Sequence, residues 1–272
     1  MSSPDTLRLM CVTAHPDDES LGFGGTLARY AAEGVEVSLV VGTRGERGRC
    51  GDGSMPHPGP DEVGRIREGE LRAACDALGI RHLRFLGYRD AELDRADAAE
   101  AAGRVAACVR ELRPHVVLTF DPFGVYGHPD HIAISQQTLA GVLLAASPRG
   151  LPDAQGAAHQ VQKVYVRAWS DPERDRYERA FKPLRMSVDG EVRASVAWPA
   201  WSVTTVMAAH DQWEKVWDAV RCHRTQMAQY GALEALTPED HRALWGAQEY
   251  YRVFSLVNGG RVTERDLFEG LR

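Results

Sequence analysis

The chain has 272 residues, of which 44% are hydrophobic and 26% charged, a balance typical of a globular protein with one substantial core. Its 32 basic residues are fewer than its 38 acidic residues, and the net charge of -6 argues against nucleic acid or anionic membranes as partners. The first apolar stretch, residues 7–14, is too short for a signal peptide or a membrane span, so we expect a cytoplasmic protein.

The first half of the chain alternates between short apolar runs and amphipathic stretches. In chain order the pattern predicts a strand at 7–14, a helix at 19–34, a strand at 35–42, a helix ending at Gly79, a strand at 81–86, a helix at 97–113, a strand at 115–120 and a helix at 128–146. Such alternation predicts one α/β domain over residues 1–272, Rossmann-like, with a mostly parallel sheet and helices on both faces. A loop at 45–61, rich in Gly and Pro, is long enough to be functional.

The pattern is less regular in the second half. A polar loop at 147–160 precedes a strand at 161–169, and residues 170–200 receive no assignment. The remaining elements are a strand at 201–208, a helix at 211–229 and a strand or helix around 250–256.

Two strand ends carry dense sets of metal-ligand side chains. HPDDE follows the first strand at 15–19, and DPFGVYGHPDH follows the fourth at 121–131. Ligands of open parallel sheets bind outside the carboxyl ends of strands, where both segments lie. Gly22, Gly24 and Gly25 would suit a dinucleotide, but carboxylates in the turn repel phosphate and attract a divalent cation. Imidazole beside carboxylate favours Zn²⁺, and Fe²⁺ accepts the same ligands.

A hydrolytic zinc site needs about three protein ligands and one open position. His15, Asp18 and His131 would supply those ligands. His128 and His131 are three residues apart, so both can face one side of the helical turn that begins there. One imidazole can then bind metal while the other faces a substrate.

Six short segments form a set that extends over most of the chain. They are AHPDDE at 14–19, GE at 45–46, RxxEL at 67–71, LGYRD at 86–90, DPFGVYGHPDH at 121–131 and CHRTQ at 222–226. Together they resemble the PIG-L/LmbE-like family of zinc-dependent N-acetylglucosamine de-N-acetylases, which includes deacetylases of the mycothiol and bacillithiol pathways. The resemblance implies an LmbE-like fold and hydrolysis of the acetamide of a small amino-sugar substrate to an amine and acetate.

The resemblance also implies roles for individual residues. His15, Asp18 and His131 match the metal ligands of the family, and Asp17 matches its general base. Because zinc lowers the pKa of its bound water to ~7, Asp17 needs only to collect a readily released proton.

Further matches concern the charge that develops on the carbonyl oxygen and the sugar itself. Tyr126 and His128 match positions that stabilise the oxyanion, and Asp130 is expected to fix the tautomer or charge of His128. Glu46 and Arg67 match positions near the sugar hydroxyls in relatives.

Other assignments stay open at this stage. Asp90 is a candidate for substrate contact, although the residues after it differ from those of relatives. Arg67 and Glu70 could instead form a surface ion pair. The segment 222–226 either reaches the site or caps its helix.

Three rival functions share parts of this pattern. Mycothiol S-conjugate amidases have the same motifs and cleave a different amide. A non-catalytic carbohydrate-binding protein could retain the metal, although the presence of Asp17 argues against it. A nucleotide-binding module would bind NAD or ATP. The oligomeric state, including a homo-oligomer, is open.

Overall fold

The computed structural model describes residues 6–51, 53–54, 56–149 and 156–272, and a seven-stranded sheet forms its centre. The described residues contain nine strands: β1 (Arg8–Thr13), β2 (Glu36–Thr43), β3 (His82–Tyr88), β4 (Val116–Thr119), β5 (Lys163–Arg167), β6 (Arg185–Val188), β7 (Glu191–Ala194), β8 (Thr205–Ala208) and β9 (Ala247–Ser255). The sheet order is β3-β2-β1-β4-β5-β9-β8, and β6 pairs with β7 in a separate hairpin. The first five strands of this order, β3, β2, β1, β4 and β5, are parallel to one another. Strand β9 is antiparallel to both of its neighbours. The predicted mostly parallel sheet is confirmed.

Helices cover both faces of this sheet. Those of the described residues are α1 (Gly24–Ala32), α2 (Pro60–Leu78), α3 (Ala98–Leu112), α4 (Gly124–Gly127), α5 (Pro129–Ala146), α6 (Asp171–Ala180), α7 (Trp213–Cys222), α8 (Gly231–Glu234) and α9 (Pro238–Trp245). Helices α3 and α5 pack together on one face, and α1, α2 and α7 pack on the other. Within the described ranges, none of these helices has the length and apolarity needed to cross a membrane.

The central strands are apolar on both faces because both faces are covered. Leu9, Met10 and Val12 of β1 are fully buried, as are Val37 and Leu39 of β2. Continuous apolar runs of this kind are typical of parallel strands between two helical layers. Full burial of each such side chain contributes about 1.5–3 kcal/mol to folding.

The strand order creates a crevice between β1 and β4. From β1 the chain passes to β2 on one side, whereas β4 lies on the other side of β1. At such a reversal of strand order the carboxyl ends of the two strands open towards the same space. Residues 14–19 follow β1 and residues 120–131 follow β4, so the fold brings the two predicted metal-binding segments together.

The second half of the chain differs from the prediction in several places. The helix expected at 211–229 is wrong beyond Cys222, where α7 ends, because His223 turns inward to a buried carboxylate. The unassigned residues 170–200 form α6 and the β6–β7 hairpin, and residues 250–256 lie largely in a strand.

Parts of the two predicted loops lie outside the described residues. They are residues 52 and 55 of the loop at 45–61 and residues 150–155 of the loop at 147–160.

Helix α9 lies in a region where the sequence predicted no element. That residues 1–272 form one domain stays a prediction.

Gly141 allows α5 to approach α3 closely. A Cβ atom at this position would lie 2.7 Å from Cβ of Val105 and 2.9 Å from the carbonyl oxygen of Ala102. We therefore expect Gly141→Ala to lower the free energy of unfolding by about 1–3 kcal/mol, measured by urea denaturation. Gly69→Ala on α2 is the control: nothing lies within 4 Å of its added Cβ, so stability should rise by about 0.5–1 kcal/mol. Equal stability of the two variants would contradict this account of the packing.

Candidate functional site

Three side chains from the two strand ends meet in the crevice. Nδ1 of His15 lies 3.2 Å from Nε2 of His131. The carboxylate of Asp18 lies 3.7 Å from the first of these nitrogens through Oδ2 and 3.4 Å from the second through Oδ1. Ligand atoms of a tetrahedral zinc ion lie about 3.3–3.4 Å apart, so one ion fits between these donors. The residues that the resemblance implies as metal ligands therefore lie together.

Asp18 is held as a carboxylate. Its Oδ2 accepts the backbone N–H groups of His15 at 2.7 Å and Ala14 at 3.2 Å. Burial by itself raises the pKa of Asp18, but the charges of His131 and His15 and these hydrogen bonds lower it below its usual value. The group is thus ionised, as a ligand of a divalent cation must be.

Two carboxylates fix the other nitrogen of His15. Nε2 lies 3.1 Å from Oδ2 of Asp130 and 3.2 Å from Oδ1 of Asp90. Donation of the Nε2 proton to these oxygens leaves the lone pair on Nδ1, which faces the cluster. Burial lowers the pKa of His15, but the hydrogen bonds to Asp130 and Asp90 raise it well above its usual value. A carboxylate behind an imidazole orients it and makes it a better ligand.

Asp130 contacts His128 through its backbone, whereas its carboxylate has other partners. Its carboxylate contacts His15 and accepts the backbone N–H groups of Ala91 at 2.8 Å and Leu93 at 3.2 Å. Asp130 lies in the first turn of α5, and its carboxylate faces the loops that follow β1 and β3. Only the backbone N–H of Asp130 reaches His128, donating to Nδ1 at 3.2 Å.

That backbone contact determines the state of His128. With Nδ1 accepting a hydrogen bond, a neutral imidazole carries its proton on Nε2. Burial, followed by the charges of His15 and His131, lowers the pKa of His128 to about 3. The ring lies 4.7 Å from that of His131, nearly parallel to it, so both histidines face one side as predicted. His128 is therefore a neutral N–H donor beside the cluster.

Asp17 lies next to the cluster in a strained backbone conformation. Its φ is 101°, and its backbone N–H donates to Oε2 of Glu19 at 2.9 Å. Its Oδ2 accepts hydrogen bonds from Nη2 of Arg67 at 3.1 Å and from the hydroxyl of Tyr230 at 2.6 Å. Burial raises the pKa of Asp17, and the charge of Arg67 partly offsets this. A positive φ in a residue other than glycine costs on the order of 1–3 kcal/mol and indicates a functional constraint.

The chain bends sharply just before Tyr126. Val125 has φ 67° and ψ -59°, a strained γ-turn conformation. The bend is held by Asp121, which accepts the backbone N–H of Val125 at 2.7 Å and the indole N–H of Trp198 at 2.9 Å. The ring of Tyr126 lies edge-on to that of His131 at 5.4 Å. Burial, followed by nearby carboxylates, raises the pKa of Tyr126, so its phenol is protonated and can donate.

The residues expected near the sugar hydroxyls are bound mainly to the protein. Arg67 is only 4% exposed and donates hydrogen bonds to Asp17 and to the backbone carbonyls of Pro16 and Gly45. Oε2 of Glu46 accepts the backbone N–H of Asp90 at 3.1 Å. Asp90 in turn contacts His15. Arg67 and Asp90 also line the cleft described below.

The segment 222–226 reaches the site. The N–H of Nε2 of His223 donates to Oε1 of Glu19 at 2.8 Å, and both side chains are fully buried. Burial lowers the pKa of His223, but the charge of Glu19 raises it above its usual value. Glu70 accepts the backbone N–H of Thr225 at 2.8 Å and its hydroxyl at 2.7 Å. The idea that Glu70 belongs to a surface ion pair is therefore wrong.

The cluster forms the floor of a cleft of about 440 Å³. Its outer wall includes residues that the sequence did not indicate, namely Trp169, Tyr177, Phe181, Lys182 and Tyr230, together with Gln226 of the segment 222–226. The aromatic residues among them are visible in the sequence, but no spacing relates them to the metal-binding segments. Only the tertiary fold brings them to the same cleft.

Known proteins resemble this chain in sequence and in fold. The family model described as GlcNAc-PI de-N-acetylase, PIG-L, matches residues 10–142. A protein of Streptomyces avermitilis named 1D-myo-inositol 2-acetamido-2-deoxy-alpha-D-glucopyranoside deacetylase is 38% identical over 299 residues, covering 97% of this chain and 97% of its own length. A solved structure, a conserved protein from Thermus thermophilus, matches with a TM-score of 0.65 and 26% identity over 93% of this chain and 98% of that chain.

A second solved structure supports the fold alone. It is N,N'-diacetylchitobiose deacetylase from Pyrococcus horikoshii, with a TM-score of 0.65 and 19% identity. The match covers 93% of this chain and 86% of that chain. The expected LmbE-like α/β architecture is thus confirmed by two solved structures.

Proposed function

Because the chain belongs to the PIG-L family of de-N-acetylases, we propose that it removes the N-acetyl group from an N-acetylglucosamine conjugate by metal-dependent hydrolysis. One observation carries the proposal. Nδ1 of His15, the carboxylate of Asp18 and Nε2 of His131 gather within 3.2 to 3.7 Å of one another, with Asp17 beside them on the floor of the cleft. Two imidazoles and one carboxylate suit a hydrolytic metal site, and a second carboxylate beside them can act as the base for hydrolysis of an amide at neutral pH.

The metal is proposed from the donor set. We assign His15, Asp18 and His131 as ligands of Zn²⁺, with Fe²⁺ as the alternative, because two imidazoles and one carboxylate accept both. When bound, the ion would polarise the acetyl carbonyl and lower the pKa of water. Asp130 and Asp90 support this assignment, since they orient His15 from behind.

The remaining chemistry is assigned to residues of the chain. Asp17 takes a proton from the water that attacks the acetyl carbonyl carbon. The phenol of Tyr126 and the Nε2 proton of His128 stabilise the negative charge that develops on the carbonyl oxygen. The proton held by Asp17 then passes to the sugar nitrogen, the carbon–nitrogen bond breaks, and acetate and the free amine leave.

The substrate assignment rests on the relatives and on the shape of the cleft. The Streptomyces relative is named for a 2-acetamido sugar joined to inositol, and we propose a conjugate of the same type here. Arg67 and Asp90 line the cleft and are retained as contacts to sugar hydroxyls, whereas Glu46 is proposed to support Asp90. The aglycone would lie against the outer wall of the cleft.

The cytoplasm is proposed as the working compartment. All five cysteines of the chain are free thiols. Disulfides are rare in the reducing cytoplasm, and a chain adapted to it has no need of them. Fractionation of cells producing a tagged chain checks this assignment; recovery from the culture medium or the membrane fraction would contradict it.

Acetate release tests the proposed function. We expect the zinc-loaded protein to release acetate and free amine in equal amounts from an N-acetylglucosaminyl-inositol, because Asp17 and the proposed metal ligands line the same cleft. A chelator should reduce the rate to background, and added Zn²⁺ should restore it. Product analysis by NMR and a metal assay give the readout.

Other outcomes of that experiment identify the rivals. Cleavage of a cysteine conjugate without acetate release from any acetamido sugar would favour the conjugate amidase. Tight sugar binding with metal present and no product would favour a non-catalytic protein. Either result would overturn the proposed reaction.

A further inference from the structure

We propose that Tyr230 is a positioning residue that holds Asp17 in its reactive orientation; this inference rests on the proposed function of Asp17 as the base. The hydroxyl of Tyr230 lies 2.6 Å from Oδ2 of Asp17, although the two residues are 213 positions apart in the chain. Tyr230 lies in none of the six motif segments. Its assignment therefore comes from the fold.

Two donors share one oxygen of the base. Tyr230 and Nη2 of Arg67 both donate to Oδ2 of Asp17, at 2.6 and 3.1 Å. Two donors from different directions fix the plane of the carboxylate and leave Oδ1 to accept a proton. With only one donor the carboxylate could rotate, and a misplacement of about 1 Å can reduce a rate about 100-fold.

Tyr230 is rigid enough to set this orientation. It is 5% exposed, and its ring packs edge-on against that of Phe181 at 5.3 Å. Its backbone N–H donates to the carbonyl of Met227 at 2.9 Å, and its carbonyl accepts the N–H of Leu233 at 2.8 Å. Burial raises the pKa of Tyr230 well above its usual value, so the phenol is a permanent donor. A side chain fixed at both ends restrains the group to which it is bonded.

Arg67 supplies only one of the two hydrogen bonds that hold Oδ2 of Asp17. Its guanidinium also donates to the backbone carbonyls of Gly45 and Pro16. The position of Arg67 is therefore set by two loops as well as by Asp17. Tyr230 is the partner whose hydroxyl is directed at the base alone in the part of the chain that the structure describes.

Tyr230→Phe tests the inference because it removes one oxygen and keeps the ring. We expect kcat for acetate release to fall between about 10-fold and 100-fold, with KM within about twofold and full metal content, since only the orientation of Asp17 changes. Replacement of Tyr230 by 4-aminophenylalanine, which retains an N–H donor, should recover part of the loss. Rescue by a donor distinguishes positioning from packing.

A matched control is available outside the cleft. Tyr165 is also a buried tyrosine, and its hydroxyl lies 2.7 Å from Oε2 of Glu264. Tyr165→Phe removes an equivalent hydroxyl–carboxylate bond and should leave kcat unchanged. Thermal melting of both variants shows whether stability losses are comparable, and a reduced kcat in the control would overturn the inference.

The remaining outcomes separate this inference from the proposed function. A raised KM with unchanged kcat would assign Tyr230 to substrate binding, and unchanged kcat and KM would remove it from the reaction; each overturns the inference. Loss of metal from Tyr230→Phe would do the same. By contrast, full activity of Asp17→Asn would overturn the role of the base itself. Failure at Tyr230 alone leaves that role intact.

Discussion

Asp17→Asn is expected to retain its metal and to lose deacetylase activity by about 10²–10⁴-fold. An amide oxygen can still accept the hydrogen bonds of Arg67 and Tyr230, so the local packing is preserved. The amide cannot take up the proton of the attacking water, however. Asparagine also tolerates a positive φ better than most residues, so the φ of 101° at this position adds little new strain.

The test of Asp17→Asn needs two measurements on the same preparation. Metal content by mass spectrometry should equal that of the unaltered protein, because the atoms assigned as ligands belong to His15, Asp18 and His131. The rate of acetate release at saturating substrate should fall. Loss of metal to the same extent as in a ligand variant would show that base and ligand roles are not divided in this way.

His15→Ala is expected to lose both the metal and the activity. The change removes one of three nitrogen and oxygen donors, and a site with two remaining protein ligands binds zinc weakly. It also leaves Asp130 and Asp90 without the imidazole that lies between them, at 3.1 and 3.2 Å. Two buried carboxylates without this partner repel each other, so we also expect reduced stability.

The matched comparison for His15→Ala is His128→Ala. One nitrogen of His128 lies within 4.8 Å of ligand nitrogens of His15 and His131, so His128 is a candidate substitute ligand. We expect His128→Ala to keep its metal and to turn over more slowly, because it loses a donor to the carbonyl oxygen. Metal affinity that is unchanged in His15→Ala but reduced in His128→Ala would show that the ligand set is wrong.

The sequence predicts the half of the fold that builds the crevice. Residues 7–14 and 115–120 read as buried strands because parallel strands covered on both faces are apolar throughout. Once these are strands of one parallel sheet, the residues that follow them must lie at one edge. The meeting of His15, Asp18 and His131 follows from that argument.

What the sequence does not predict are contacts between distant segments. The apolar spacing of 211–229 favours one helix, but the inward turn of His223 to Glu19 ends it at Cys222. The sequence relates Asp130 to its neighbour His128, yet the partners of its carboxylate are His15 and the backbone of residues 91–93. Tyr230 lies on a turn with no periodicity, so no local pattern relates it to Asp17.

The contacts of Asp130 have a consequence for how the cleft can adapt. One carboxylate ties together the loops that follow β1, β3 and β4, through His15, Ala91 and Leu93. These loops cannot shift separately without breaking a buried hydrogen bond. The side of the cleft that they form therefore has a fixed shape. Accommodation of aglycones of different size therefore falls to the outer wall of the cleft, to which α6 contributes Tyr177 and the segment after it contributes Phe181 and Lys182. Substitutions in the outer wall should therefore change substrate selectivity, while the residues around the acetamide stay unchanged.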